Sequence, residues 1–184
     1  MRFTHMPPQF TMRSRSLASS PPDFDMALVA AFVAFAYPAH AAGTSYYVDT
    51  SGANSNDGSS GSPLATLQEA VNRASPGDTI TVRACTYTVS EPVTVTNKQG
   101  TSSAVLTIRG EGMPVFRGAS VESIPVFGGL IAIDSSAYVT VTGIWLENSG
   151  WFSFKASNSS NIVFDNNQSS VSLASAIMLL TAMQ

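Results

Sequence analysis

Apolar and polar residues alternate along this chain in short runs instead of recurring at helical spacing. Ile80 and Val82 alternate with threonines, as do Val93 and Val95, Leu106 and Ile108, Ile131 and Ile133, and Val139 and Val141. Period-two alternation predicts strands with one buried face. It turns Thr81, Thr94, Thr107 and Thr140 outward, where β-branched polar residues suit a solvated sheet face.

The runs themselves recur. Ile131, Phe154 and Ile177 are each 23 residues apart, and Val139 and Val141 are answered by Ile162 and Phe164 at the same offset. Such a period predicts a β-solenoid, whose coils bury their apolar residues only by stacking on their neighbours. An earlier coil is longer, with 26 residues from Ile80 to Leu106 and from Val82 to Ile108. Between Ile108 and Ile131 the stretch GEGMPVFRGASVESIPVFGG reads as an enlarged turn with a short strand at Val115 and Phe116. Gly143 and Ile144 are matched by Asn166 and Asn167, and Asn148 closes a strand-like run. Asparagine tolerates left-handed backbone, so an asparagine ladder is expected at these turns in preference to substrate binding.

One helix stands out. Thr66 caps it, Glu69 three residues on completes a capping box, and Leu67, Ala70, Val71 and Ala74 share a face before Pro76 and Gly77 end it. Ahead of a run of strands, such a helix suits a lid over the first open coil. Before it lie a strand at Tyr46 to Val48 and a turn-rich loop, Ser51 to Pro63. Asp49, Asn54, Asn56 and Asp57 in this region are candidate calcium ligands, but their spacing is not that of an EF-hand and Asn-Asp-Gly forms turns for local reasons.

Residues 1–41 read as a secretory leader. Met26 to Ala36 is an apolar run too short to span a bilayer, Ala39-His40-Ala41 is a small-x-small cleavage site, and Arg2, Arg13 and Arg15 supply the positive start. The organisation expected is thus a leader over 1–41, a strand, loop and capping helix over 42–78, and solenoid coils over 79–184. At 184 residues, 44% hydrophobic and 11% charged, the chain is one globular domain at most. Beyond the leader, six basic residues face ten acidic ones, a net charge of −4. That gives no footprint for nucleic acid, and once the leader is cleaved none for a membrane. Cys85 is the only cysteine; it cannot form an intrachain disulfide and reads as a buried structural thiol. Neither His5 nor His40 survives cleavage to serve it as a base. Asn158 and Asn167 begin Asn-x-Ser sequons, which matter only in a eukaryotic secretory pathway.

The stretch YYVDTSGANSNDGSSGSPLATLQEAVNRASPGDTITVRACTY resembles the N-terminal segment of secreted right-handed parallel β-helix proteins of the pectate-lyase-like superfamily, nearest to the family-nine polysaccharide lyases. SNSSNIVFDNN is similar to their coil repeat, and the resemblance runs from Tyr46 to Ile177. It implies an all-β, right-handed parallel β-helix with an N-terminal cap helix and the first few coils. Two departures stand out: Ala84 and Cys85 replace a Gly-Gly pair, and Ser153 and Ala176 replace the glycine before an inward residue.

For full-length relatives the resemblance implies β-elimination on an acidic polysaccharide, with a Lys or Arg base and a calcium ion held by aspartates. No catalytic residue and no calcium ligand is assignable in this chain. Residues 23 beyond Asp134 and Glu147 are Ser157 and Ser170, and the nearest approach to a constellation is Asp165 with Lys155, more simply read as solvated turn charges. The expected activity is that of a secreted polysaccharide-degrading protein's N-terminal part; the alternatives are a noncatalytic carbohydrate- or surface-binding module and an inactive truncated product. The last residues admit three endings. A truncated coil puts Ile177 and Leu179 inward and leaves an open sheet end for self-association; a capping helix lines up Leu173, Ala176, Ile177 and Leu180; or the reading frame continues.

Overall fold

The computed structural model describes residues 43–119, 129–149 and 152–170, and the backbone of 177–180. The leader and most of the turn expected before Ile131, residues 120–128, lie outside the described residues. With strands numbered in chain order, the first sheet stacks β1 (Ser45–Val48), β2 (Thr79–Val82), β5 (Leu106–Gly110), β8 (Ala137–Thr142) and β11 (Ser160–Asp165). The second stacks β4 (Val93–Thr96), β7 (Gly129–Asp134), β10 (Phe152–Ser157) and β13 (Ile177–Leu180), and the third β3 (Thr86–Val89), β6 (Val115–Gly118), β9 (Trp145–Glu147) and β12 (Gln168–Ser170). Every pairing between these strands is parallel, so the chain winds round three sheets as a parallel β-helix.

The 23-residue period is the pairing register itself. Phe154 pairs with Ile131 and Ile177, Ile162 with Val139, and Phe164 with Val141. Because Ile177–Leu180 is strand, the capping-helix reading of the tail does not hold there. In the earlier coil the register differs from expectation: Ile80 pairs with Ile108, a step of 28 and not 26. Leu106 and Ile108 both face inward, so a slip of two leaves the alternation intact and only the turns decide it.

Inward side chains stack coil upon coil: Ile80, Ile108 and Val141 in the first sheet, Ile131, Ile133 and Phe154 in the second, Phe116 and Leu146 in the third, all buried. Burying each contributes about 1.5–3 kcal/mol. Tyr87 stacks on Phe116 at 4.9 Å between centroids, and its single hydroxyl proton is shared between the carbonyls of Val48 and Arg83, at 3.1 and 3.0 Å. The outward set holds with one exception. Thr81 is buried, because Arg109 of the next coil lies over it and donates from Nε to its hydroxyl at 3.1 Å.

At the corner between the second and first sheets, Asn97, Ser135 and Asn158 occupy successive coils with φ of 57°, 48° and 49°. Gly143 and Asn166 repeat this at the next corner, with φ of 71° and 49°. Left-handed backbone at one place per coil keeps every turn alike. Asn167 works as a ladder rung: Oδ1 accepts from the Ile144 amide at 3.0 Å while Nδ2 donates to the Val141 carbonyl at 2.8 Å. Ala84 and Cys85 need no glycine, since neither has a positive φ.

The helix α1 (Leu67–Arg73) closes the N-terminal end. Its Thr66 hydroxyl accepts from the Glu69 amide at 3.3 Å, but the reciprocal half of the capping box is absent. Asn54 Oδ1 accepts from the Thr66 amide instead, at 3.1 Å, and Glu69 pairs with Arg73 at 2.8 Å. Leu67, Ala70, Val71 and Ala74 are buried as expected. Gln68 imitates a strand. Its Oε1 accepts from the Thr94 amide at 2.8 Å and its Nε2 donates to the Thr94 carbonyl at 3.1 Å, so a side-chain amide satisfies the outer edge of β4.

Candidate functional site

The charged residues singled out from sequence do not converge. Lys155 lies on the second sheet, in register with Ala132, whereas Asp165 lies on the first, in register with Thr142. Asp134 is used by the fold. It accepts from Ser157 Oγ at 2.7 Å, Ser135 Oγ at 2.9 Å and Asn158 Nδ2 at 3.1 Å, and these bonds, that of Ser157 foremost, hold its carboxyl below the ordinary aspartate value. Cys85 is only half-buried, packed against the core edge, which corrects the expectation of a buried thiol.

The donor set does not fit calcium. Asp49 accepts from the Ser51 amide and hydroxyl, Asp57 from the Ser59 amide, Asn54 holds the helix cap, and Asn56 donates to the Pro63 carbonyl. Both carboxyls are held below their ordinary values chiefly by those amides. Among the described residues no three acidic, histidine or cysteine side chains gather.

A different set converges on the outer face of the third sheet, where the inward turn of Tyr87, Phe116 and Leu146 sends alternate residues out. One file runs Thr86, Val115, Trp145, Gln168 and the next Thr88, Arg117, Glu147, Ser170, each step a paired position in adjoining coils. Parallel pairing spaces the members of a file about 4.8 Å apart. Arg117 donates from Nε and Nη2 to Glu147 Oε2 at 2.8 and 2.7 Å, and Trp145 Nε1 donates to Ser170 Oγ at 3.2 Å. The Arg117 side chain keeps 50% of its exposure, so its outer edge stays open to solvent.

An indole, a guanidinium, a carboxylate and an amide thus share the outer face of one sheet. Such a surface can stack on an apolar ring face and hydrogen-bond the groups on its rim. In the sequence Glu147 draws notice only as an acid with Ser170 one coil on, and Trp145, Arg117 and Gln168 do not stand out. The available signal was Trp-x-Glu followed 23 residues later by Gln-x-Ser, in step with the Ile144 and Asn167 pair.

The family described as "Pel9A-like, right handed beta helix region" matches residues 46–182. A solved rhamnogalacturonan lyase is similar at 21% identity and a TM-score of 0.58, over 72% of this chain and 37% of that one. At that identity the likeness shows the fold alone. Pectate lyase Pel9A is similar at 25% identity and a TM-score of 0.52, over 69% of this chain and 34% of its own. The chain therefore spans well under half the length of either solved relative. No curated protein matches it.

Proposed function

The chain belongs to the Pel9A-like right-handed β-helix family, and from that premise we propose that it is part of a secreted polysaccharide-degrading protein whose third sheet meets the glycan. The observation that carries this reading is the shared face of Trp145, Arg117, Glu147 and Gln168. The C–H face of a pyranose would lie on the Trp145 indole, and vicinal hydroxyls would bridge the Arg117 and Glu147 pair. The chemistry proposed for the whole protein is the β-elimination on an acidic polysaccharide that the resemblance implies, and one similar solved structure bears the name pectate lyase. No described residue is assigned as its base.

A noncatalytic binding module is the second reading, favoured by the charge of the face. Glu147 neutralises Arg117, which suits recognition of hydroxyls more than of a uronate carboxylate.

Affinity electrophoresis of the chain in gels containing polygalacturonate or a neutral plant glycan tests the site. Trp145→Ala is expected to weaken retention about tenfold, the equivalent of losing one stacking contact and its buried area. Equal retention of Trp145→Ala, Arg117→Ala and the parent would remove the third sheet from consideration. The appearance of unsaturated-uronate absorbance with the parent chain would decide for catalysis over simple binding.

A further inference from the structure

Among the described residues, two of the three sheets are covered at the N-terminal end of the solenoid and one is not. β1 covers the edge of β2, and α1 with Gln68 covers that of β4. Among the described residues β3 has one partner strand, β6. The Val115 amide donates to the Cys85 carbonyl at 2.9 Å and the Ala119 amide to the Val89 carbonyl at 2.8 Å. Residues 85, 87 and 89 therefore spend their backbone groups on β6, and those of Thr86 and Thr88 point the other way.

Thr86 and Thr88 line a groove of about 830 Å³ together with Thr50, the Ala65–Gln68 segment, Glu91 and Pro92. Among the described residues nothing bonds the amides or carbonyls of Thr86 and Thr88 on this side.

We propose that this groove is a strand-addition site for an extended segment of another polypeptide carrying a basic residue. The ligand class follows from the edge. Alternating donors and acceptors repeating every second residue are met by an extended peptide backbone and not by a sugar or a nucleotide. The basic residue follows from Glu91, an exposed carboxylate lining the groove with no ion pair among the described residues. A second copy of this chain fits poorly. Pairing β3 with β3 would bring two Glu91 side chains together as like charges.

Hydrogen exchange on the full chain tests the site, with the blocked peptide acetyl-Val-Thr-Val-Lys-Val-Thr-amide as the probe. The expected result is at least tenfold slower exchange of the Thr86 and Thr88 amides. N-methylating alternate residues of the peptide should abolish the effect, and Glu91→Lys should weaken it and shift preference to the same peptide with Glu for Lys. Thr88→Pro, tolerable on an edge strand whose N–H is unpaired, should lose binding while keeping its thermal midpoint. Unchanged exchange up to millimolar peptide, or equal protection by the N-methylated peptide, would overturn the proposal. Loss of glycan retention by Trp145→Ala bears on the third-sheet face alone and leaves this outcome separate.

Discussion

Replacing Gln68 with alanine removes the device that closes the second sheet, and its cost can be worked from two bonds. Thr94 loses a partner for its amide, at 2.8 Å, and one for its carbonyl, at 3.1 Å. Each neutral hydrogen bond is worth about 0.5–1.5 kcal/mol net, and at an exposed edge water replaces part of it, so the pair contributes about 1–2 kcal/mol. Alanine returns a few tenths through helix propensity, and the lost contact from Gln68 Nε2 to Asn72 Oδ1 takes a similar amount away. The net loss is about 1–1.5 kcal/mol. For a domain of this size that lowers the thermal midpoint by about 3–6 °C. The freed edge should also exchange its Thr94 amide faster by about an order of magnitude, since 1.4 kcal/mol is tenfold. Circular dichroism melts and amide exchange read both quantities, with Asn72→Ala as the control for the local contact. Gln68→Glu keeps the acceptor but sets a carboxylate against the Thr94 carbonyl, so near neutral pH it should be at least as damaging as alanine. A midpoint within 1 °C of the parent, together with unchanged Thr94 exchange, would refute the view that this side chain stands in for a strand.

Two further outcomes follow from the coil contacts. The Asp134 carboxyl is held below its ordinary value of 3.8 by Ser157, then Ser135 and Asn158. As pH falls the unfolded chain takes up that proton first, so the stabilisation is present above about pH 4 and lost as pH drops through the folded value. Ser157→Ala should raise the Asp134 titration seen by NMR and flatten the acid limb of the urea midpoint; an unmoved titration would remove Ser157 as its main cause. Asn167→Ala strips partners from the Ile144 amide and the Val141 carbonyl, and should cost about 2–3 kcal/mol in urea unfolding. Asn167→Asp, which keeps only the acceptor, should fall between.

How much of this was legible depended on what each residue answers to. The 23-residue register of β7, β10 and β13 could be read directly because equal turns make equal spacings. The 28-residue step could not, since a slip of two keeps every side chain on its face. The third sheet was nearly silent. Its strands are three or four residues long, and the clear inward marks of β3, β6 and β9 are single residues, Tyr87, Phe116 and Leu146, too few to show alternation. The failed half of the capping box has a nonlocal cause, because the Thr66 amide is taken by Asn54, which lies 12 residues upstream and therefore outside any local rule. Gln68 likewise reads as an ordinary solvated helix residue until β4 is known to lie beneath it.

The same reasoning separates the faces that build the coil from those left free. Inward residues and the left-handed corners at Asn97, Ser135 and Asn158 already fix the register, so an outward file has little structural work beyond tolerating water. On the first sheet one file reads Ser45, Thr79, Thr107, Thr140, Val163, mostly small β-branched or hydroxyl residues, and the next Tyr47, Thr81, Arg109, Thr142, Asp165, where the aromatic and the charges are set coils apart. On the third sheet the file Thr86, Val115, Trp145, Gln168 changes chemistry at every coil, and its neighbour sets Arg117 against Glu147. Cross-coil pairing imposes no such variety, and an exposed ion pair returns at most about 1 kcal/mol. Stability alone therefore does not account for a tryptophan on an outward file beside a charged pair. What sets the third sheet apart is that its aromatic, cation and anion lie in adjoining coils, Trp145 beside Arg117 and Glu147, whereas on the first sheet Tyr47 and Asp165 are four pairing steps apart, and on that ground the proposed glycan contact falls on the third sheet.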